Sequence, residues 1–322
     1  MSDQPSLPKQ ARGGRSSPGS THVIHFLGDE VRPGRGPFLR ELLDVLVDGA
    51  QQATRLHVDG RSTAPGMPPA WLEQATSFEV VKLHGQDIVL RAPPLGQAAP
   101  QRFRQLKLFP DVDPARSCLD LFEDSLDDAL AGREDSDRYD RPLMGTLESL
   151  GRLFRYGVEG MKIINGRTLD VNPASIETIR TMRQRTPDDR RVMLAGQLDS
   201  IRYSDRAFTL VLESGEALRG LATESVDPSE LARLFGQPAL VTGMAKFRPS
   251  GKLLRVEAEH IEPARGDVRV WSTMPRPLGT TIEPTWLRAP AGPKSGIAAI
   301  FGQWPGGDES EEQIRAALEE MS

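Results

Sequence analysis

Apolar residues alternate most regularly between residues 191 and 264, where turn residues separate short segments. Phe208, Leu210 and Leu212 occupy every second position, which is the period of a half-buried strand. Ser214-Gly215 and Pro249-Ser250-Gly251 fit hairpin turns, because glycine adopts positive φ without steric cost. The pattern predicts five strands, at 192–202, 207–213, 217–223, 239–247 and 253–261.

A short helix is predicted between the third and fourth of these strands. Asp227-Pro228 fits a helix start, apolar residues follow at helical spacing, and Gly236 fits its end. Gly196 and Gly243 lie inside strands, where glycine often marks a bulge or a barrel corner. The order of elements over 190–265 resembles that of an OB-fold domain, which implies a small closed barrel of five strands.

The preceding segment, 22–186, predicts an α+β domain in which helices cover a single sheet. Residues 1–21 are rich in Pro, Gly, Ser and Arg and predict a disordered leader. The predicted strands of the domain are 22–27, 78–83, 87–91, 160–164 and 168–171. The predicted helices are 38–53, 117–131, 143–156 and 174–185, with loops at 60–69 and 97–105.

The composition limits the classes of protein to which the chain can belong. The chain has 322 residues and a formal net charge of −5, which argues against a protein devoted to non-specific nucleic-acid binding. Cys118 is the only cysteine, so the sequence excludes an intramolecular disulfide and fits a reducing compartment. No apolar run reaches the length of a membrane span, and the N-terminus lacks the apolar region of a secretory signal. We expect a cytoplasmic protein without a membrane partner.

An OB-like barrel raises the possibility of nucleic-acid binding. Between residues 190 and 265 there are eleven basic and ten acidic residues, whereas binding to a phosphate backbone normally requires a basic excess. One hairpin nevertheless concentrates cations, and Tyr203 could stack on a base. The candidate nucleic-acid residues are Tyr203, Lys246, Arg248, Lys252 and Arg255. The same cations also fit a solvated hairpin whose charges protect a sheet edge.

The C-terminal part of the chain has two regions. Residues 266–293 are rich in proline and predict an extended linker. Residues 294–322 form a tail in which Ile297, Ile300, Phe301 and Trp304 have helical spacing, and Ile314, Ala317, Leu318 and Met321 repeat it. A capping box at 310–313 predicts a helix from about residue 311 to residue 321. This apolar stripe requires a partner surface, which is either another protein or the chain's own body.

The run 300–312 is similar to the C-terminal tails of VapB-type antitoxins and of bacterial proteins paired with PIN-domain toxins. In such pairs the tail wraps the toxin ribonuclease and blocks its acidic metal site. The resemblance implies that Phe301 and Trp304 are anchors and that Arg315 faces the toxin's carboxylates. The resemblance to these tails extends over about 25 residues of the chain. The chain departs from the usual antitoxin plan in its greater length and in lacking a recognisable DNA-binding motif near its start.

Catalytic patterns are absent from the sequence. His22 and His25 would point to opposite faces of a strand, so we predict no metal pair there. The acidic trio Asp124, Asp127 and Asp128 fits the solvated side of a helix. We therefore predict a non-enzymatic, antitoxin-like binding protein without cofactor, metal or catalytic residues. The predicted partner-binding residues are Ile297, Ile300, Phe301, Trp304, Ile314, Arg315 and Leu318. Nucleic-acid binding through the hairpin 246–255 is the alternative.

Overall fold

The computed structural model describes residues 19–29, 31–103, 112–202, 206–265 and 271–277. The chain divides into two units, Met1–Pro277 and Leu278–Ser322. Within the first unit, a helix-covered sheet and a closed barrel each have a hydrophobic core. Both helices and strands are therefore present, as the sequence predicts.

The sheet contains five strands in the order β2-β3-β1-β4-β5, and all neighbours are antiparallel. The strands are β1 (Ser20–Leu27), β2 (Glu79–His84), β3 (Asp87–Ala92), β4 (Gly160–Asn165) and β5 (Arg167–Val171). In β1, His22, Ile24 and Phe26 are buried and the residues between them are more exposed. Alternate side chains point to opposite faces, so one face of β1 packs into the core.

Seven α-helices are described in this region, namely α1 (Gly36–Asp59), α2 (Ala70–Ala75), α3 (Leu95–Ala98), α4 (Pro100–Phe103), α5 (Cys118–Leu130), α6 (Arg141–Glu148) and α7 (Pro173–Arg185). Buried residues of α1, α5, α6 and α7 share one core with that face of the sheet, whereas α2 and α3 bury residues in a separate cluster. Phe26 of β1, Phe38 of α1 and Tyr156 stack edge to face, with ring centroids 5.0 and 5.6 Å apart. Aromatic pairs in this geometry add to the stability of a core. No described helix combines the length and the apolar character needed to span a bilayer.

Three predicted elements of this region were wrong in part. Residues 97–103 are not simply a loop, because the end of α3 and all of α4 lie there, while 104–105 fall outside the described residues. The predicted helix 143–156 is α-helical only to Glu148 and continues as a 3₁₀ helix, Ser149–Tyr156. Helix α1 also extends to Asp59, six residues beyond its predicted end.

The barrel closes in the order β10-β8-β7-β6-β9. Its elements are β6 (Arg190–Arg202), β7 (Ala207–Val211), β8 (Ala217–Ala222), α8 (Pro228–Arg233), β9 (Pro238–Phe247) and β10 (Leu253–Pro263). Asp227 caps α8 by accepting from Ser229 N at 2.8 Å. The predicted sequence of three strands, a helix and two strands is therefore present, and the five strands form a closed barrel.

The two strand glycines permit close approach of neighbouring backbones. A Cβ on Gly196 would lie 2.5 Å from Val211 O, and one on Gly243 would lie 2.1 Å from Glu257 O. The register of β9 and β10 also shifts between Ala258 and His260, beside Gly243. This register shift fits the expectation that glycine marks a bulge or a barrel corner here.

Candidate functional site

The basic hairpin lies against acidic residues from elsewhere in the chain. Lys246 Nζ is 2.5 Å from Asp189 Oδ2, and Lys252 Nζ is 2.5 Å from Asp135 Oδ2. Arg248 pairs with Asp137. Each of these cations therefore has a carboxylate partner within the same chain. Since the acids at 135 and 137 follow α5, these pairs connect the barrel to the helical region.

Arg255 makes the most buried of these ion pairs. Its Nη2 atom is 3.0 Å from Asp140 Oδ2, and the side chains are only 5% and 4% exposed. Asp140 also accepts from Ser62 N at 3.2 Å and caps α6 by accepting from Leu143 N at 3.3 Å. Asp140 thus connects α6, the loop at Ser62 and strand β10. Removing one partner of such a pair leaves an uncompensated buried charge.

These ion pairs affect how readily the cations of the hairpin can bind a ligand. Phosphate-backbone binding depends on cations that exchange their counterions for phosphate. Lys246, Arg248, Lys252 and Arg255 already have carboxylates as counterions, and Arg255 is buried. The hairpin is thus an intramolecular interface of the first unit.

The other predicted binding residues lie outside the described residues. They are Tyr203 of the nucleic-acid set and Ile297, Ile300, Phe301, Trp304, Ile314, Arg315 and Leu318 of the tail. The predicted leader 1–21 and linker 266–293 are mostly outside them as well.

A second cluster of polar groups forms where β1 meets the start of α5. Strand alternation turns His22 toward the core, where it is 1% exposed. A capping box starts α5, because Ser117 Oγ accepts from Asp120 N and Asp120 Oδ2 accepts from Ser117 N at 2.7 Å. Glu123 follows one turn later and is also buried. The strand thereby presents an imidazole to two carboxylates of the helix.

The groups of this cluster are in hydrogen-bonding range. His22 Nδ1 is 2.5 Å from Glu123 Oε1, and His22 Nε2 is 2.8 Å from Ser20 Oγ. Asp120 Oδ1 lies 3.7 Å from His22 Nε2 and accepts from Asn165 Nδ2 at 2.7 Å. One ligand atom each from His22, Asp120 and Glu123 lies within 4.8 Å of the others. Imidazole nitrogen and carboxylate oxygen are donors that transition metals accept, so these three residues could hold a metal ion.

The hydrogen bonds from Ser20 to His22 and from His22 to Glu123 also resemble those of a catalytic triad, in which a serine nucleophile contacts a histidine base and the histidine contacts a carboxylate. A serine nucleophile must however reach its substrate. Ser20 Oγ instead donates to Ser117 Oγ at 2.6 Å, and the imidazole that would activate it is buried. The geometry therefore favours a role in binding or structure for this cluster.

The remaining acids of α5 have a different environment. Asp124 accepts from Arg116 and Arg167 at 2.8 and 2.7 Å. Burial acts to raise the pKa of Asp124, but the hydrogen bonds and charges of Arg116, Arg138 and Arg167 outweigh it and lower the pKa. Asp128 pairs with Arg133. The interpretation of Asp124 and Asp128 as part of a solvated face was wrong, because both are buried.

Sequence reasoning missed the cluster because its members are far apart along the chain. His22 and Glu123 are separated by 101 residues. One signal was present, since His22 occupies the same face of β1 as Ile24 and Phe26. The placement of His22 and His25 on opposite faces is confirmed, and His25 pairs with Asp87 at 2.6 Å.

Cys118, beside the cluster, is chemically passive. Burial raises the pKa of its thiol to about 12, and the thiolate is the reactive form of cysteine. The single thiol of the chain therefore packs as a small apolar side chain.

No protein-family model, curated protein or solved structure significantly matches this chain.

Proposed function

We propose that the chain is a non-enzymatic binding protein that engages a protein partner through its tail, 294–322. The observation that carries the proposal is the apolar spacing of Ile297, Ile300, Phe301 and Trp304, followed by a capped second segment. An amphipathic helix binds by placing such a stripe in an apolar groove.

The partner we propose is a ribonuclease toxin of the PIN-domain type, and the activity is its neutralisation. Support for this partner class comes from the similarity of residues 300–312 to VapB-type tails. Phe301 and Trp304 would anchor the tail, and Arg315 would face the acidic metal site of the nuclease. The tail's excess of acidic residues also favours a protein over a phosphate-rich partner.

Nucleic-acid binding by the barrel is the second candidate, and it has one supporting observation. We propose that the barrel is of the OB type, because its first three strands follow one another, β8 pairs in parallel with β10, and α8 lies between β8 and β9. The ion pairs of the basic hairpin weigh against this candidate, since a nucleic acid would have to displace four carboxylates.

The proposal is tested by affinity capture from bacterial lysate with the full-length chain and with a chain that ends at Pro293. We expect a small nuclease to be recovered with the full-length chain alone, and its ribonuclease activity to be inhibited when the purified proteins are mixed. Equal recovery with both chains, or nucleic acid recovered with both, would contradict tail-mediated neutralisation.

Point variants locate the binding surface. Phe301→Ala and Trp304→Ala should each weaken the complex about 30-fold or more, because a buried aromatic anchor carries about 2 kcal/mol or more. Gln303→Ala, between the two anchors in sequence, is the matched control and should bind normally. Loss of neutralisation in the Gln303→Ala variant alone would contradict the predicted anchors.

A further inference from the structure

We propose that His22, Asp120 and Glu123 bind a divalent transition-metal ion between strand β1 and helix α5. Each residue supplies one ligand atom, and these atoms lie within 4.8 Å of one another. Metal–ligand bonds of about 2.1 Å hold the atoms of one site about 3 to 3.5 Å apart. Glu123 now contacts Nδ1 of His22 and Asp120 lies nearer its Nε2, so a common coordination sphere requires one carboxylate to turn toward the nitrogen that faces the other.

The charges around the cluster support a cation. Among the described residues, no lysine or arginine forms an ion pair with the Asp120 and Glu123 carboxylates, whose neighbour is the His22 imidazole. The side chain of Glu123 is 4% exposed and that of Asp120 is 17% exposed. Two carboxylates beside one imidazole leave at least one negative charge without a full counterion, which is costly at the buried Glu123. The capping box offsets part of this cost at Asp120. Glu123, one turn further into the helix, lacks that benefit.

The neighbouring carboxylate of Asp124 differs from that of Glu123 in its ionic partners. Asp124 is on the same helix and is similarly buried, yet it is matched by Arg116 and Arg167. Among the described residues, arginines therefore pair with the buried carboxylate of Asp124, and no arginine pairs with the neighbouring carboxylate of Glu123. A divalent ion would provide positive charge beside Glu123.

The donor set indicates the class of ion and its role. Mg²⁺ and Ca²⁺ prefer all-oxygen sites, whereas an imidazole nitrogen suits Zn²⁺, Co²⁺ and similar ions. Burial of His22 and Glu123 favours a structural site over a catalytic one with an open position. The ion would tie the central strand of the sheet to α5.

The test is Zn²⁺ titration of the full-length chain after removal of metals with a chelator. We expect one Zn²⁺ per chain by calorimetry, release of protons on binding, and a higher melting temperature in Zn²⁺. Excess Mg²⁺ should not displace the ion. Absence of stoichiometric Zn²⁺ binding to the folded chain would overturn the proposal, as would displacement by Mg²⁺ at equal concentration.

Matched variants identify the ligands. Glu123→Gln keeps the shape of the side chain and should lower Zn²⁺ affinity at least tenfold, and Asp120→Asn should do the same. Asp124→Asn, on the same helix, and His25→Gln, on the same strand, should bind as the unmodified chain does. If the Glu123 variant does not fold, Asp120→Asn still tests the assignment, because Asp120 is more exposed. The visible spectrum of the unmodified chain loaded with Co²⁺ tests the same site. Unchanged affinity in Asp120→Asn, or loss of binding in His25→Gln, would refute the assignment.

Discussion

His57, in the last turn of α1, is a histidine held in its neutral form. Its Nε2 atom is 3.4 Å from Ser125 Oγ. Burial lowers its pKa from 6.5 to about 4, and the positive charges of Arg116 and Arg138 act in the same direction, against the opposing charge of Asp124. The folded chain therefore resists protonation at a site that the unfolded chain protonates readily.

This difference predicts a pH dependence of stability. Between pH 6.5 and pH 4 the unfolded chain binds the extra proton, so the free energy of unfolding decreases as the pH falls. We expect His57 to account for a loss of about 2 kcal/mol between pH 7 and pH 5. Urea unfolding at the two pH values measures the loss. His57→Gln, which cannot take up the proton, should show a smaller decrease, and an equal decrease in both proteins would contradict the prediction.

At the scale of elements, the β9–β10 ladder depends on a residue without a side chain. Gly243 faces the backbone of β10 so closely that a Cβ would lie 2.1 Å from Glu257 O and 2.8 Å from Ala258 Cα. The adjoining shift in register lets β10 bend around the barrel. The closure of the barrel therefore requires glycine at this position.

Gly243→Ala should destabilise the chain by about 1 to 3 kcal/mol or more, because overpacking against a backbone cannot be relieved by a rotamer change. Chemical denaturation measures the free energy of unfolding. Gly34→Ala is the control, since a Cβ at Gly34 would meet no atom within 4 Å. A Gly243 variant as stable as the Gly34 variant would show that the strands can separate at little cost.

At the scale of the first unit, the barrel and the helical region are joined by a buried charge pair. Asp140 and Arg255 are nearly inaccessible to solvent, while the neighbouring pair of Lys252 and Asp135 is exposed. Exposed pairs contribute little, whereas a buried charge that loses its partner is costly. The two pairs should therefore differ greatly in their effect on stability.

Asp140→Asn preserves the size of the side chain but removes the buried anion of Arg255, which keeps only Glu257 Oε1 at 3.0 Å from its Nε atom. We expect a loss of about 3 kcal/mol in the free energy of unfolding, at the lower end of the cost of breaking a buried pair, because Glu257 remains. Lys252→Gln, in the exposed pair, should change stability little. Equal effects of the two substitutions in urea denaturation would mean that the buried pair does not join the barrel to the helical region in the way we infer.

Local chemistry explains which elements could be predicted. Gly215 and Gly251 both have a φ of +82°, so the hairpins at these glycines follow from short sequence patterns. The 3₁₀ segment after Glu148 and the helices near Leu95 depend on packing between distant parts of the chain, which no local pattern encodes.

The candidate sites likewise combine features that a local sequence pattern predicts with contacts that only the fold creates. The position of His22 on the core face follows from strand alternation, but its pairing with Glu123 requires the fold. The cations of the hairpin are evident in the sequence, whereas three of their partners, Asp135, Asp137 and Asp140, lie more than 100 residues earlier. Asp189, the partner of Lys246, lies 57 residues earlier. These partners lie outside residues 190–265, so the charge balance of that segment does not include them.

The distance between Asp140 and Arg255 along the chain has a consequence for biosynthesis. The two residues are 115 positions apart, and a ribosome adds about 5 to 20 residues per second, so Asp140 precedes its partner by roughly 6 to 23 s. Until Arg255 is made, the capping carboxylate of α6 can be buried only at the cost of a lone charge. The helical half of the nascent chain therefore completes its packing late, which gives molecular chaperones a defined interval in which to bind it.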